Sequence, residues 1–152
     1  MGRRYSISGT ATNTQSSTLP LMSVISTAAI RPKIYDVIFS SAGTPADNAC
    51  LYQFQRCTTT GTVGSAITPQ ALDPNDPAAV TTAGLAVFSV GPTLTASAFL
   101  LQMAHNMRAT VRWIAAPLGE LVLPATASNG VCVVPVTTTT AFSDTCTIYV
   151  EE

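Results

Sequence analysis

The stretch CLYQFQRC at residues 50–57 is the clearest indication of the fold, because its side chains alternate with the period of a β-strand. One face of this strand would carry Cys50, Tyr52, Phe54 and Arg56, and the other would carry Leu51, Gln53, Gln55 and Cys57. The strand is therefore predicted to belong to a sheet that packs one face on a hydrophobic core.

The preceding stretch KIYDVIFS, residues 33–40, reads as a second strand. Tyr35, Val37 and Phe39 fall on one side of it, and the other side carries Ile34, Asp36 and Ile38. We therefore expect this strand to be covered on both faces. The intervening SSAGTPADN supplies a turn.

Two strands are predicted near the C-terminus, NGVCVVPV at 129–136 and TCTIYVEE at 145–152. We expect them to form a terminal antiparallel pair. The side chains that would line the core are Val131, Val133, Cys146, Ile148 and Val150.

Residues 95–115 are compatible with a buried helix or with strands, and we favour two strands with a break near Asn106. GELVLPA, residues 119–125, predicts a short strand that Pro124 ends.

Short strands separated by Gly and Pro predict an all-β fold, a single jelly-roll-like antiparallel β-sandwich over residues 19–152. Residues 1–18 are predicted to form an N-terminal arm, because the stretch SGTATNTQSSTLP is small and polar. From about residue 61 to residue 84 we expect one long loop containing Pro69, Pro74 and Pro77. Because long loops often make contacts, this loop is expected to reach a neighbouring subunit.

Charge is scarce in this chain: only 15 of its 152 residues are Asp, Glu, Lys or Arg, whereas 23 are Thr. Typical domains carry about 25% charged residues. Much of the surface is therefore expected to be covered by other subunits, which indicates an assembly component and not an enzyme. A net charge of −1 argues against nucleic-acid binding. No apolar run is long enough to span a membrane.

The N-terminal MGRRYS lacks the apolar core of a secretory signal, so we expect the mature protein to begin here. Gly2 and Ser6 fit the short N-myristoylation pattern, and a solvated arm carrying Arg3 and Arg4 is the alternative. The sequence does not choose between them.

Four cysteines are present, and their spacings do not match the paired CxxC motifs of zinc sites. Buried free thiols are the favoured interpretation for a protein made in a reducing cytoplasm, and one or two disulfides are the alternative if it folds outside. The cysteines are Cys50, Cys57, Cys132 and Cys146.

No catalytic motif is present, and neither a metal nor a nucleotide cofactor is expected. His105 is the single histidine and is interpreted as a core or edge residue; a cysteine nucleophile would need it nearby. Asp73 and Asp76 could share calcium or form a glycosidase pair, but turn formation explains them better. Trp113 is expected in the core or an interface, with a sugar platform as the alternative.

The succession of segments over most of this chain resembles the jelly-roll decoration, or cement, proteins of tailed-bacteriophage capsids, and three pieces carry the resemblance most specifically. They are the TPQALDPNDPAA loop at 68–79, the run from Trp113 to Ala125, and the acidic C-terminal strand. The resemblance implies a homotrimer on the outer surface of the virion that clamps the major capsid protein and stabilises the shell. It implies no catalytic residues.

Contact residues are predicted from composition in the arm and in the long loop: Arg3, Arg4, Tyr5, Pro69, Leu72, Asp73 and Asp76. The alternative functions are a receptor- or glycan-binding head of a viral fibre or adhesin, and a small hydrolase on a sandwich fold. Loop aromatics, which a glycan binder needs, are nearly lacking.

Overall fold

The computed structural model describes residues 2–12, 18–86, 88–137 and 141–152. These residues contain twelve β-strands and no helix. The strands are β1 (Arg4–Thr12), β2 (Met22–Ile25), β3 (Lys33–Ala42), β4 (Ala49–Cys57), β5 (Ser65–Ile67), β6 (Gln70–Ala71), β7 (Thr82–Leu85), β8 (Leu94–Asn106), β9 (Val111–Ile114), β10 (Leu121–Val122), β11 (Gly130–Thr137) and β12 (Ser143–Glu151).

Two antiparallel sheets form the sandwich, so the predicted all-β class is confirmed. Sheet A has the order β10-β3-β12-β1-β6, with β9 also paired to β3, and sheet B has the order β5-β7-β2-β11-β4-β8. Four strands of each sheet form its central part, in the orders β1-β12-β3-β9 and β2-β11-β4-β8. Early strands of the chain lie next to late ones within each sheet, as in a jelly roll.

Aromatic side chains from both sheets form the centre of the core. The Phe39 ring of β3 stacks on the Tyr52 ring of β4 with 4.7 Å between centroids, and Phe54 meets Phe39 edge-on at 6.0 Å. All three are fully buried. The inward face predicted for Cys50, Tyr52 and Phe54 is thus confirmed.

A β-bulge in β3 changes which of its residues enter the core. Tyr149 and Val150 of β12 pair with Asp36 and Ile34, so the register skips Tyr35. Ile34 is therefore buried, while Tyr35 is only partly buried. The prediction that Tyr35 shares a face with Val37 and Phe39 is wrong, because the extra residue shifts the alternation.

The predicted pairing of the two C-terminal strands is also wrong. β11 pairs with β2 and β4 in sheet B, whereas β12 pairs with β1 and β3 in sheet A. Inward side chains of both strands belong to the same hydrophobic core. All five side chains predicted to line the core are buried.

Much of the predicted N-terminal arm is a strand. Residues 4–12 form β1, which pairs with β12 from Arg4–Glu151 to Thr12–Ser143. Tyr5 and Ile7 are fully buried, so their burial stabilises this pairing. Residues 13–17 of the predicted arm lie outside the described residues.

The segment predicted as one long loop contains three short strands. β5 and β7 extend sheet B, and β6 adds to β1 at the edge of sheet A. Downstream, the break near Asn106 and the short strand before Pro124 are confirmed, since β8 ends at Asn106 and β10 is Leu121–Val122.

Candidate binding surfaces

Five of the seven predicted contact residues line one groove of about 540 Å³, which we call the N-terminal groove. Its lining residues are Gly2, Arg3, Arg4, Leu72, Asp73 and Asp76. Arg3 Nε lies 3.9 Å from Asp76 Oδ1 across it. The N-terminal segment and the loop were predicted separately to contact other subunits. In the structure they contact each other, within one chain.

Backbone pairing positions the loop side of this groove. The N–H of Leu72 donates to the Arg4 carbonyl at 2.9 Å, and the Tyr5 hydroxyl donates to the Pro77 carbonyl at 3.1 Å. Asp73 Oδ1 accepts from the Asn75 N–H at 2.9 Å, so this aspartate forms a turn, as interpreted from the sequence.

Two predicted contact residues are not accessible. Tyr5 and Pro69 are both buried within the chain, so neither can belong to an exposed contact surface. Tyr5 is buried because β1 joins sheet A. The loop packs on its own chain through β6, while Leu72 stays half exposed, so contact of the loop with a neighbouring subunit stays a prediction.

Hydrogen bonds to Glu152 hold the C-terminal end of the loop, at Val80 and Thr81. The Glu152 carboxylate accepts hydrogen bonds from the N–H of Thr81 at 2.7 Å and of Val80 at 3.1 Å. Its backbone N–H donates to the Arg3 carbonyl at 2.8 Å. Glu152 therefore connects three segments through hydrogen bonds: the start of β1, the end of β12 and the loop.

A second groove, of about 220 Å³, lies on the outer face of sheet A beside Tyr35. The Arg4 guanidinium lies 5.4 Å from the Tyr35 ring centroid and 3.3 Å from Glu151. The bulge in β3 directs Tyr35 outward into this position. Lys33 and Glu120 also line the groove and supply opposite charges.

The charged residues are unevenly divided between the two sheets. The strands of sheet A contain six of them, which are Arg4, Lys33, Asp36, Arg112, Asp144 and Glu151. The strands of sheet B contain one, Arg56, whose guanidinium donates to the Val122 carbonyl of β10 in sheet A at 3.2 Å.

The outer surface of β4 and β8 in sheet B is consequently neutral. Leu51 lies opposite Ala104 and Gln53 lies opposite Gln102, and these four residues define what we call the neutral face. Because they alternate with the inward residues of β4 and β8, they point away from the core. Gln102 and Ala104 are exposed, and Leu51 and Gln53 are partly buried.

A cysteine and the histidine meet inside one end of the sandwich. Cys50 Sγ lies 3.5 Å from His105 Nε2, and the His105 ring stacks near Tyr52 at 5.7 Å. Burial, with Asp144 nearby, raises the pKa of the Cys50 thiol to about 11, and burial lowers the pKa of His105. Both groups are thus neutral at pH 7, so the pair lacks the thiolate of a cysteine nucleophile.

Two other cysteines lie in a small second apolar cluster. Cys57 and Cys132 pack there with Ile25 and Val134, against Leu94. A side-chain hydrogen bond between the two cysteines lowers the pKa of Cys57 and raises that of Cys132.

All four cysteines are free and buried, which predicts a thiol titration. We expect no rapid reaction of the native protein with an aromatic disulfide reagent, and four reacting thiols after denaturation without reductant. An Ala127→Cys variant, placed in an exposed turn, provides the positive control for rapid reaction. Fewer than four thiols after denaturation would demonstrate a disulfide.

Other kinds of site find little support in the described residues. They contain no group of three His, Cys, Asp or Glu residues placed to hold a metal ion. They also contain no helix with the length and hydrophobicity needed to cross a membrane. Trp113 is partly buried against the core.

Comparisons with known proteins do not assign this chain to a group: no family model matches it, and neither curated proteins nor solved structures include a significant match.

Proposed function

We propose that this protein is a structural component of a virion, a decoration protein that binds the outside of a capsid shell. It would contact the major capsid protein, stabilise the shell and act as a homotrimer. The observation that carries this proposal is the division of charge, with one charged residue in the six strands of sheet B.

A neutral surface suits permanent contact with another protein. A charge that is buried at an interface without a partner loses its hydration, and the penalty is several kcal/mol. Gln53, Gln102, Leu51 and Ala104 carry no such charge, while glutamine side chains can still form hydrogen bonds across a contact. The jelly-roll fold is itself frequent in capsid proteins.

Shells of the parent virus that lack this protein provide the test. Saturable binding of the purified protein, together with a raised melting temperature of the shell, is the expected result, because a ligand of the assembled state stabilises that state. Absence of binding would refute the proposal.

A matched pair of variants locates the contact. Gln53→Glu places a charge on the neutral face and is expected to weaken shell binding at least about tenfold, or roughly 1.4 kcal/mol. Gln70→Glu makes the same change at an exposed residue of β6 and should bind as the native protein does. Equal binding by both variants would exclude the neutral face.

The groove beside Tyr35 is the feature that favours the alternative, a receptor- or glycan-binding head. It combines an aromatic ring with charged neighbours, a combination found in ligand sites. However, the Arg4 guanidinium lies over the Tyr35 ring and occupies the surface on which a sugar would stack. A glycan screen tests this function if the shells are not bound.

A further inference from the structure

The β8 strand leaves one edge of sheet B open. β8 is 13 residues long, and within the described chain its only neighbour is β4. In antiparallel pairing, alternate residues of an edge strand direct their backbone N–H and C=O groups away from the sheet. β8 therefore presents a row of backbone groups that can pair with another strand.

This edge has little of the protection that edge strands usually carry. Proteins commonly block free edges with lysines, prolines or bulges. β8 contains no charged residue and no proline. Its irregularities lie in its first half, where the register with β4 shifts twice and Ser97 has a φ of +57°.

The second half of β8 is regular. Residues 101–106 pair one by one with β4, from Leu101–Phe54 to Asn106–Ala49. Six residues make an edge about 20 Å long, which is the usual length of a strand in a sheet.

We infer that this edge pairs with the same edge of a second copy of this chain, in antiparallel orientation about a two-fold axis. An axis at Met103 would place Gln102 of one copy opposite Ala104 of the other, and Leu101 opposite His105. Outward residues then face outward residues, and inward residues face inward residues, so sheet B continues across the contact.

Charge favours a second copy as the partner. Identical strands that carry charges place like charges near each other, which is why charged edges remain unpaired with their own copies. No such repulsion arises on β8. The contact uses the edge of the sheet, so it can join protomers in addition to any three-fold contact of the proposed trimer. It does not depend on shell binding.

Sedimentation of the purified protein over a range of concentrations tests this inference without shells. We expect a dimerisation step that Gln102→Lys/Ala104→Lys weakens at least about tenfold, because the introduced lysines face each other across the two-fold axis. The Ala125→Lys/Ala127→Lys variant adds the same charge at exposed turn residues and should associate normally.

A charge exchange tests the register itself. Mixing Gln102→Lys/Ala104→Lys with Gln102→Glu/Ala104→Glu should restore pairing as a mixed dimer, since opposite charges then face each other. Cooperative unfolding of each variant shows that it is folded. A native protein without a dimerisation step, equal association of the lysine and control variants, or no mixed dimer would overturn the inference. Shell binding is read out separately, so either proposal can fail alone.

Discussion

Gly130→Ala is expected to lower the free energy of unfolding by at least about 3 kcal/mol. A Cβ atom at this position would lie 2.1 Å from the carbonyl oxygen of Val24 and 2.9 Å from Ile25 Cδ1. Gly130 pairs with Ile25 where β11 meets β2, so the obstruction is backbone of the neighbouring strand. Relief would require separating two strands at the centre of sheet B.

Urea denaturation of Gly130→Ala beside Gly119→Ala measures this effect. At Gly119 a Cβ would lie 3.1 Å from the Ala116 carbonyl oxygen in an exposed turn, so a change of less than about 1 kcal/mol is expected. If both variants lose a similarly small free energy of unfolding, β2 and β11 do not approach each other as closely as the structure shows.

Asp144 is expected to make the protein less stable as pH rises. This residue is 1% exposed, and its carboxylate accepts a hydrogen bond from the Tyr52 hydroxyl, while Oδ1 has no partner in the described structure. Burial raises the pKa of Asp144 from 3.8 to about 6, although hydrogen bonds from Tyr52 and Thr145 oppose the shift. Burial, and then the charge of Asp144, raise the pKa values of the Cys50 and Cys146 thiols as well.

The direction follows from proton binding. Between pH 4 and pH 6 the folded state holds a proton that the unfolded state has released, so the contribution to stability is complete below about pH 4 and lost as pH rises through 6. The pKa difference corresponds to roughly 3 kcal/mol.

Unfolding free energies of the native protein and of Asp144→Asn, measured from pH 4 to pH 8, isolate this contribution. The difference between the two proteins should change by roughly 3 kcal/mol across this range, because the amide does not ionise. A constant difference would show that Asp144 titrates normally. Tyr52→Phe removes the hydrogen bond to the carboxylate, so it should raise the pKa of Asp144 further.

Alternation within single strands was sufficient to predict several core residues, and the succession of short strands between Gly and Pro predicted the fold class. Cys50, Tyr52 and Phe54 of CLYQFQRC face the core as predicted, because the period of a strand depends only on local backbone geometry. The bulge at Tyr35 depends on how β12 pairs with β3, and no residue within β3 indicates it. The assignment of β11 and β12 to different sheets likewise depends on the whole topology, so the sequence of these two strands does not predict it.

The candidate surfaces were only partly predictable for the same reason. Tyr5 and Ile7 alternate with polar residues and could have indicated β1, but the surrounding Ser and Thr favoured an arm. The low overall charge was evident from composition. The concentration of the charged residues in sheet A could not be predicted without knowing which strands pair. The contact of Cys50 with His105 likewise depends on the register between two distant strands.

The hydrogen bonds of Glu152 have a practical consequence for labelling this protein. Arg3 and Glu152 exchange backbone hydrogen bonds, so a tag attached beside either residue would lie close to the N-terminal groove. The exposed turn at residues 43–44 lies at the opposite end of β12, where Ser143 pairs with Ala42. A fluorophore or affinity peptide inserted in that turn would leave the N-terminal groove and the Arg3–Glu152 pairing unobstructed.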